Sequence, residues 1–255
     1  MTRPGPSAFH RLNPLTKLTL ATTTAVAAVI MGGVLGPALL VLAAVLLPAL
    51  VARVLPRLVR SSVLLSLPIA LSAALVNLFF FPGGHTVLLR IGPIVATAEG
   101  LGFAIEILAR ILAISGAITL FYLTTRPAEL VVDLERRGVS PRLAFVANAS
   151  VQTVPAMVNR AAAITAAQRA RGLDTEGSLW RRLRGIVPIV GAVILGSISE
   201  VEERTMALEA RGFTRPGRRT LLWAPVDSGP ERVARWLLLL SIPVVVAVRA
   251  TGLLA

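Results

Sequence analysis

The sequence predicts an all-α, polytopic membrane protein with about five transmembrane helices and a set of long amphipathic cytoplasmic helices. Three observations carry this. Of 255 residues, 55% are hydrophobic and 15% charged, with a mean hydropathy of +0.77, too apolar for an ordinary soluble domain. Several apolar runs are long enough to cross a bilayer. The charges are segregated: 17 of the 26 Lys and Arg and 11 of the 13 acidic residues lie between Arg126 and Arg235. The expected organisation is a cytoplasmic head and four transmembrane helices over 1–123, a cytoplasmic helical module over 124–235, and a last transmembrane helix over 236–255.

Residues 1–17 form a basic head with Arg3, His10, Arg11 and Lys17, in which Pro4, Pro6 and Pro14 oppose regular structure. No cleavable signal peptide is expected, because the chain stays polar up to Lys17 and the next apolar run leads directly into another. The first span runs from Leu18 to about Leu35, Gly36-Pro37 marks a tight break, and Ala38 to about Val54 runs back. Both runs are near the lower length limit, so crossing and partial burial within a bundle are both open readings. Arg53, Arg57 and Arg60 then return the chain to the basic side, which the positive-inside bias makes cytoplasmic. Ser62 to Phe81 is the third span, ending in Phe79-Phe80-Phe81 at a membrane interface. Pro82 to Glu99, with Gly83, Gly84, Gly92 and Pro93, reads as an external loop or a hairpin that dips back. The fourth span, Gly100 to Leu123, carries Glu106 and Arg110 four apart on one helix face. Such a pair reads foremost as a neutralising lock on helix packing; contact with a second membrane subunit and an ion relay are the alternatives.

From Thr124 onward the character changes. Pro127 to Arg137 reads as an amphipathic helix, with Leu130 and Leu134 on one face and Gly138 as its stop. Pro141 begins a helix running toward Val151, and Pro155 starts or kinks the stretch that leads to Arg171. Asp174 to Arg184 is a polar link ending in the cluster Arg181-Arg182-Leu183-Arg184. Ile186 to Ser199, about 14 apolar residues, is short for a span and reads as the buried half of a long helix whose charged half is Glu200 to Arg211. Arg215 to Pro230 is a loop. Trp236 to about Leu254 is the last span, opened by Arg235 and an interfacial Trp, with Arg249 snorkelling at its far end. Five spans with the N-terminus inside put the C-terminus outside.

Two stretches in the cytoplasmic module match each other. Thr165-Ala166-Ala167-Gln168-Arg169-Ala170-Arg171-Gly172 and Thr205-Met206-Ala207-Leu208-Glu209-Ala210-Arg211-Gly212 share T-x-A-x-x-A-R-G, 40 residues apart. Alanines three apart make a small, flat helix face that another surface can approach closely. Gly172 and Gly212 suit the left-handed residue that ends a helix. Arg171 and Arg211 then lie at the negative end of the helix dipole, with a donor fork that matches a carboxylate. Two such ends suggest two equivalent receiving sites on a partner.

Composition excludes other classes. The formal net charge of +13 raises nucleic acid as a partner, but aromatics are only 5% and lie mostly in the apolar runs, so no nucleic-acid role is expected. Without cysteine there are no disulfides and no thiolate metal sites, and His10 and His85 are too far apart in sequence to suggest a metal cluster. No G-x-x-x-x-G-K-[ST] loop and no nucleophile–base or paired-carboxylate constellation appears, so no catalytic residues, metal ligands or cofactor are expected.

These residues resemble the transmembrane T component of energy-coupling factor (ECF) transporters, the ABC-type importers of vitamins and transition-metal ions. The likeness covers nearly the whole chain: Arg11-Leu12-Asn13-Pro14-Leu15-Thr16-Lys17-Leu18, the charged pair of the fourth span, Thr124-Thr125-Arg126-Pro127, and above all Ala170-Arg171-Gly172 and Ala210-Arg211-Gly212. The resemblance implies a bacterial cell-membrane protein whose cytoplasmic coupling helices dock their two Ala-Arg-Gly ends on a pair of ABC ATPases, which bind the ATP. Arg171 and Arg211 would pair with acidic residues there, and Ala170, Gly172, Ala210 and Gly212 would permit the close fit. A separate membrane S component would bind the substrate. Of the rival readings, a stand-alone carrier or channel would need polar residues lining several spans, where only Asn77, Glu106 and Arg110 qualify; a membrane scaffold binding anionic lipid leaves the repeated ends unexplained; an intramembrane enzyme lacks its catalytic residues.

Overall fold

The structure, a computed structural model, describes residues 7–80, 86–91, 94–172, 179–213, 215 and 225–251, without the side chains of 88–91, 94–96, 179 and 181–184. Expectations for Arg3, Pro4, Pro6, Phe81, Pro82–His85, Gly92-Pro93, Asp174, 216–224 and Leu254 fall outside these residues, as do the side chains of Arg181, Arg182 and Arg184. The chain divides into two compact units, one of Met1–Asp133 with Ala224–Ala255 and one of Leu134–Trp223.

In the first unit, helix α1 (Pro14–Ile30) starts where Asn13 caps it: its Oδ1 accepts the Leu15 N–H at 2.9 Å, and Pro14 occupies the first helical position. The break after α1 comes earlier than Gly36-Pro37, at Met31–Val34, where Gly33 takes φ +72°. Pro37 sits in the first turn of α2 (Leu35–Leu40), where its missing N–H costs no helical hydrogen bond. A π-helical segment (Val41–Leu46) and α3 (Leu47–Val51) continue this helix. Helix α4 (Leu55–Phe80) runs through Pro68. The segment between α4 and α5, expected as a loop or a hairpin, contains an antiparallel hairpin, β1 (Val87–Ile91) with β2 (Ile94–Thr97), and Thr86 anchors its base by donating its N–H and its Oγ1 hydroxyl to Glu99. Thr97 caps α5 (Ala98–Thr124), accepting the Gly100 N–H at 3.1 Å. Helix α9 (Gly229–Ala250) completes this unit.

The core of the first unit is built from small residues. Ala28, Ala49, Ala52, Ala70, Ala104, Ala113 and Ala117 are buried, while Leu64, Leu65, Ile69 and Phe80 are exposed, Leu65 at 71%. Small residues let helix backbones approach, and large apolar residues pointing outward need an apolar solvent. At Gly116 a Cβ would stand 2.8 Å from Val45 Cγ1, so glycine is what lets α5 close on the π-helical segment. Four helices are long and apolar enough to cross a membrane: α4, α5, Gly185–Ala210 and α9; Pro14–Ile30 and Leu35–Val51 are shorter apolar helices.

Helix α6 (Pro127–Arg136) leads from one unit to the other; Leu130 and Leu134 are half-buried, and Asp133 is the residue it buries most, at 1%. The second unit is a pair of long helices. Ser140 caps α7 (Pro141–Ala170), which continues unbroken through Pro155 rather than restarting there. Helix α8 (Leu179–Ala210) is one helix that includes both the apolar stretch from Ile186 and the charged half with Glu200. The apolar half is not buried within this chain: Ile186, Val187, Val190, Ile194, Leu195 and Ile198 are all exposed.

Candidate functional site

The two Ala-Arg-Gly motifs each end a long helix with a left-handed glycine. Ala170 is the last residue of α7; Arg171 caps it, its N–H donating to the Gln168 carbonyl at 3.1 Å, and Gly172, at φ +88°, donates to the Arg169 carbonyl at 3.0 Å. Ala210 ends α8, Gly212 has φ +69°, and its N–H meets the Glu209 carbonyl at 2.9 Å while the Phe213 N–H reaches back to Leu208 at 2.9 Å. This paired closure is the Schellman geometry, which needs a left-handed residue and so favours glycine. A Cβ at either glycine would meet nothing within 4 Å, so the restriction is one of backbone conformation. Ala170, Arg171, Gly172, Ala210, Arg211 and Gly212 are all exposed.

What holds the two ends is the crossing of α7 and α8. Arg160 Nη2 meets Glu200 Oε2 at 2.5 Å, and Arg204 Nη2 meets Glu200 Oε1 at 2.8 Å. Arg160 and Glu200 each stand ten residues before the alanine of their motif, so the ion pair joins equivalent positions of the repeat. The Phe145 and Phe213 rings pack edge to face with centroids 5.0 Å apart. Phe145 precedes Arg160 on its chain segment whereas Phe213 follows Glu200, so the two helices run antiparallel. Between these contacts lies a groove of about 460 Å³, lined by Val146, Ala149, Thr153, Val201, Thr205 and Leu208 among others. With ~1.5 Å of rise per residue, each arginine lies about 16 Å from the crossing in opposite directions, roughly 30 Å from the other. One helix pair thus carries two chemically alike, outward cationic ends.

Glu106 and Arg110 are on α5 of the first unit. Arg110 Nη2 meets Glu106 Oε1 at 2.5 Å and also donates to the Met31 carbonyl at 3.1 Å, just past the end of α1. The pair therefore joins α5 to the turn after α1. At the far end of α9, Arg249 Nη1 donates to the Ile30 carbonyl, so both arginines meet the end of α1.

Sequence reasoning missed a buried polar junction at the other end of the first unit. The Asn13 N–H donates to Glu231 Oε2 at 2.8 Å, and Lys17 Nζ donates to the carbonyls of His10 and Thr124, both at 3.0 Å. Arg235 is buried in this junction: it is 8% exposed, with Nη2 on Asp227 Oδ1 at 2.7 Å and Nη1 on Thr16 Oγ1 at 3.1 Å. Burial, and then the Lys17 ammonium, lower the His10 imidazole from its ordinary pKa. The head, α9 and the last carbonyl of α5 are thereby tied together where the chain leaves for α6. Pro14, expected to oppose regular structure, instead opens α1, because a proline in the first helical position loses no helical hydrogen bond; the Asn13-Pro14 start is the one local signal here, and Asn13's partner Glu231 lies over 200 residues away.

The comparisons with known proteins bear on the whole of this arrangement. Residues 5–221 match the family described as CbiQ, cobalt transport protein. The chain is 31% identical over 242 residues to the energy-coupling factor transporter transmembrane protein EcfT of Bacillus selenitireducens, covering 88% of each chain. It is 31% identical over 239 residues to the protein of that name from Streptococcus equi, again with 88% of each covered, and 29% identical over 238 residues to that of Heliobacterium modesticaldum, with 88% and 87% covered. A multi-pass membrane chain with a small-residue core therefore belongs to the CbiQ cobalt transport protein family, the T components of energy-coupling factor transporters.

Proposed function

We propose that this T component links a pair of cytoplasmic ABC ATPases to a membrane S component, so that ATP bound and hydrolysed by the ATPases drives import of a vitamin or transition-metal ion in the cell membrane. The observation that carries this reading is the antiparallel pair α7–α8, which presents two exposed Ala-Arg-Gly ends about 30 Å apart by its helix rise. Arg171 and Arg211 each dock on an acidic residue of one ATPase; the neighbouring alanines and glycines keep the approach close. The coupling module, residues 124–235, and the N-terminus are cytoplasmic, since ends aimed at ATPases have to be. The chain has no catalytic site and no cofactor of its own. The exposed apolar half of α8 supports an interaction with another membrane subunit, assigned here to the S component, which holds the substrate.

A detergent pull-down tests the docking ends. The tagged chain is co-expressed with its ABC ATPases as wild type, Arg171→Glu, Arg211→Glu and the double variant. Each single reversal places a carboxylate against a carboxylate and is expected to weaken ATPase retention by roughly 30-fold or more, the effect of losing ~2 kcal/mol at a desolvated charge pair. The double variant is expected to lose the ATPases altogether. Equal retention and equal coupled ATP hydrolysis in all four would reduce the motifs to helix stops and reopen the lipid-scaffold and stand-alone carrier readings.

A further inference from the structure

Among the described residues, Arg53 is the one non-glycine residue with a positive φ, at 56°. It closes the helix that ends in α3 with the same geometry as the second Ala-Arg-Gly end: the Arg53 N–H donates to Leu50 at 3.0 Å, and the Val54 N–H to Ala49 at 3.1 Å. Ala49, Ala52 and Val54 are buried in the core, which holds the turn in place. Glycine occupies the equivalent position at Gly138 and Gly212, where it incurs no Cβ penalty. The backbone at 53 thus favours glycine, and what arginine adds is its side chain.

Two further arginines follow. Arg57 and Arg60 lie three apart on one face of α4, and all three arginines are exposed. Among the described residues, none of them has a hydrogen-bond or ion-pair partner, and no acidic residue occurs in the sequence before Glu99. The surrounding surface is apolar: Leu47, Leu50 and Val51 on α3, and Val59, Val63 and Leu64 on α4, are exposed. This turn packs against Phe9, Leu12, Leu120 and Leu123, at the same end of the unit as the Lys17–Thr124 contact. Three unneutralised guanidinium groups therefore stand at the rim of a surface that needs hydrocarbon. Guanidinium binds a phosphate diester through paired donors, and leucine and valine side chains accept acyl chains.

We infer that Arg53, Arg57 and Arg60 form a binding site for the headgroup phosphate of an anionic phospholipid of the phosphatidylglycerol type. The apolar rim selects a lipid over a free anion, and the lipid's negative charge selects it over a zwitterionic one. The site is independent of ATPase docking and stands on the membrane character of the first unit alone.

The test is titration of the full-length chain in neutral detergent with phosphatidylglycerol, phosphatidylcholine of matched chains, or inorganic phosphate, with bound lipid counted by native mass spectrometry. Saturable phosphatidylglycerol binding is expected. It should weaken about 5-fold in Arg53→Gly, in Arg57→Gln and in Arg60→Gln, and about 30-fold in the Arg57→Gln/Arg60→Gln double variant, as expected for surface arginines beside anionic lipid. Arg126→Gln, a highly exposed arginine that lies before α6 and is paired with Glu129, should bind as wild type. The lipid-free thermal midpoint of Arg53→Gly should equal or exceed that of wild type, because strain is relieved, which separates lost lipid from lost folding. Equal phosphatidylglycerol binding in all variants, an equal loss in Arg126→Gln, or displacement of the lipid by an equal concentration of inorganic phosphate would each overturn the inference.

Discussion

The polar junction of the first unit and the α7–α8 crossing of the second solve different problems with similar residues. In the junction, Asn13 and Thr16 meet Glu231 and Arg235 more than 200 residues away, Asp227 pairs with Arg235, Lys17 meets the Thr124 carbonyl, and Arg235 has almost no contact with solvent. In the crossing, Arg160, Glu200 and Arg204 are each about one-third to one-half exposed, and the groove beside them is open. A buried charge network is costly to break at any point, whereas an exposed ion pair adds little stability and can re-form. The junction is built to stay closed. The crossing sets an angle and a register between the two Ala-Arg-Gly ends without locking them.

The sharpest break of that contrast is at Asp227. Asp227→Ala leaves the Arg235 guanidinium buried without its closest carboxylate and is expected to cost about 3 kcal/mol, read as a fall in the thermal midpoint of the purified chain in detergent. A fall no larger than that of a surface variant would show that the junction is solvated and loose. Next in size is Gly116→Ala, which drives a Cβ into Val45 and should destabilise by about 2 kcal/mol on the same assay. Wild-type stability there would mean that the π-helical segment yields easily and that the first unit is less tightly packed than its alanine core implies. The smallest stability effect is expected at the crossing. Glu200→Arg should shift stability by less than about 1 kcal/mol yet impair coupled ATP hydrolysis, and Arg160→Glu added to it should restore coupling by remaking the pair with reversed charges. A large loss of stability from Glu200→Arg alone, or no rescue by the double variant, would contradict the view that this pair sets register.

Periodicity and punctuation account for much of what was legible. The apolar runs, the glycine stops and the proline starts at Pro127 and Pro141 placed the helices, because helix formation answers to local spacing and local caps. The same locality explains the errors. Gly36-Pro37 looks like a break on its own, but proline is also at home in a first helical turn, and only the position of α1 decides between the two. Pro155 could start or kink a helix from its sequence alone, and α7 continues through it without restarting.

By itself the sequence determined that this is an all-α membrane chain, that its charges gather in one module, and that two helices end in matching Ala-Arg-Gly tips. Repeats, composition and caps are properties of neighbours along the chain. Only the tertiary structure decided that Arg235 is buried, that Arg160 meets Glu200, that the matched helices run antiparallel, and that Arg53 occupies a glycine's place beside Arg57 and Arg60. The first three depend on which distant group completes each polar or apolar contact and the last on the core packing that holds the Arg53 turn, and no local pattern specifies either.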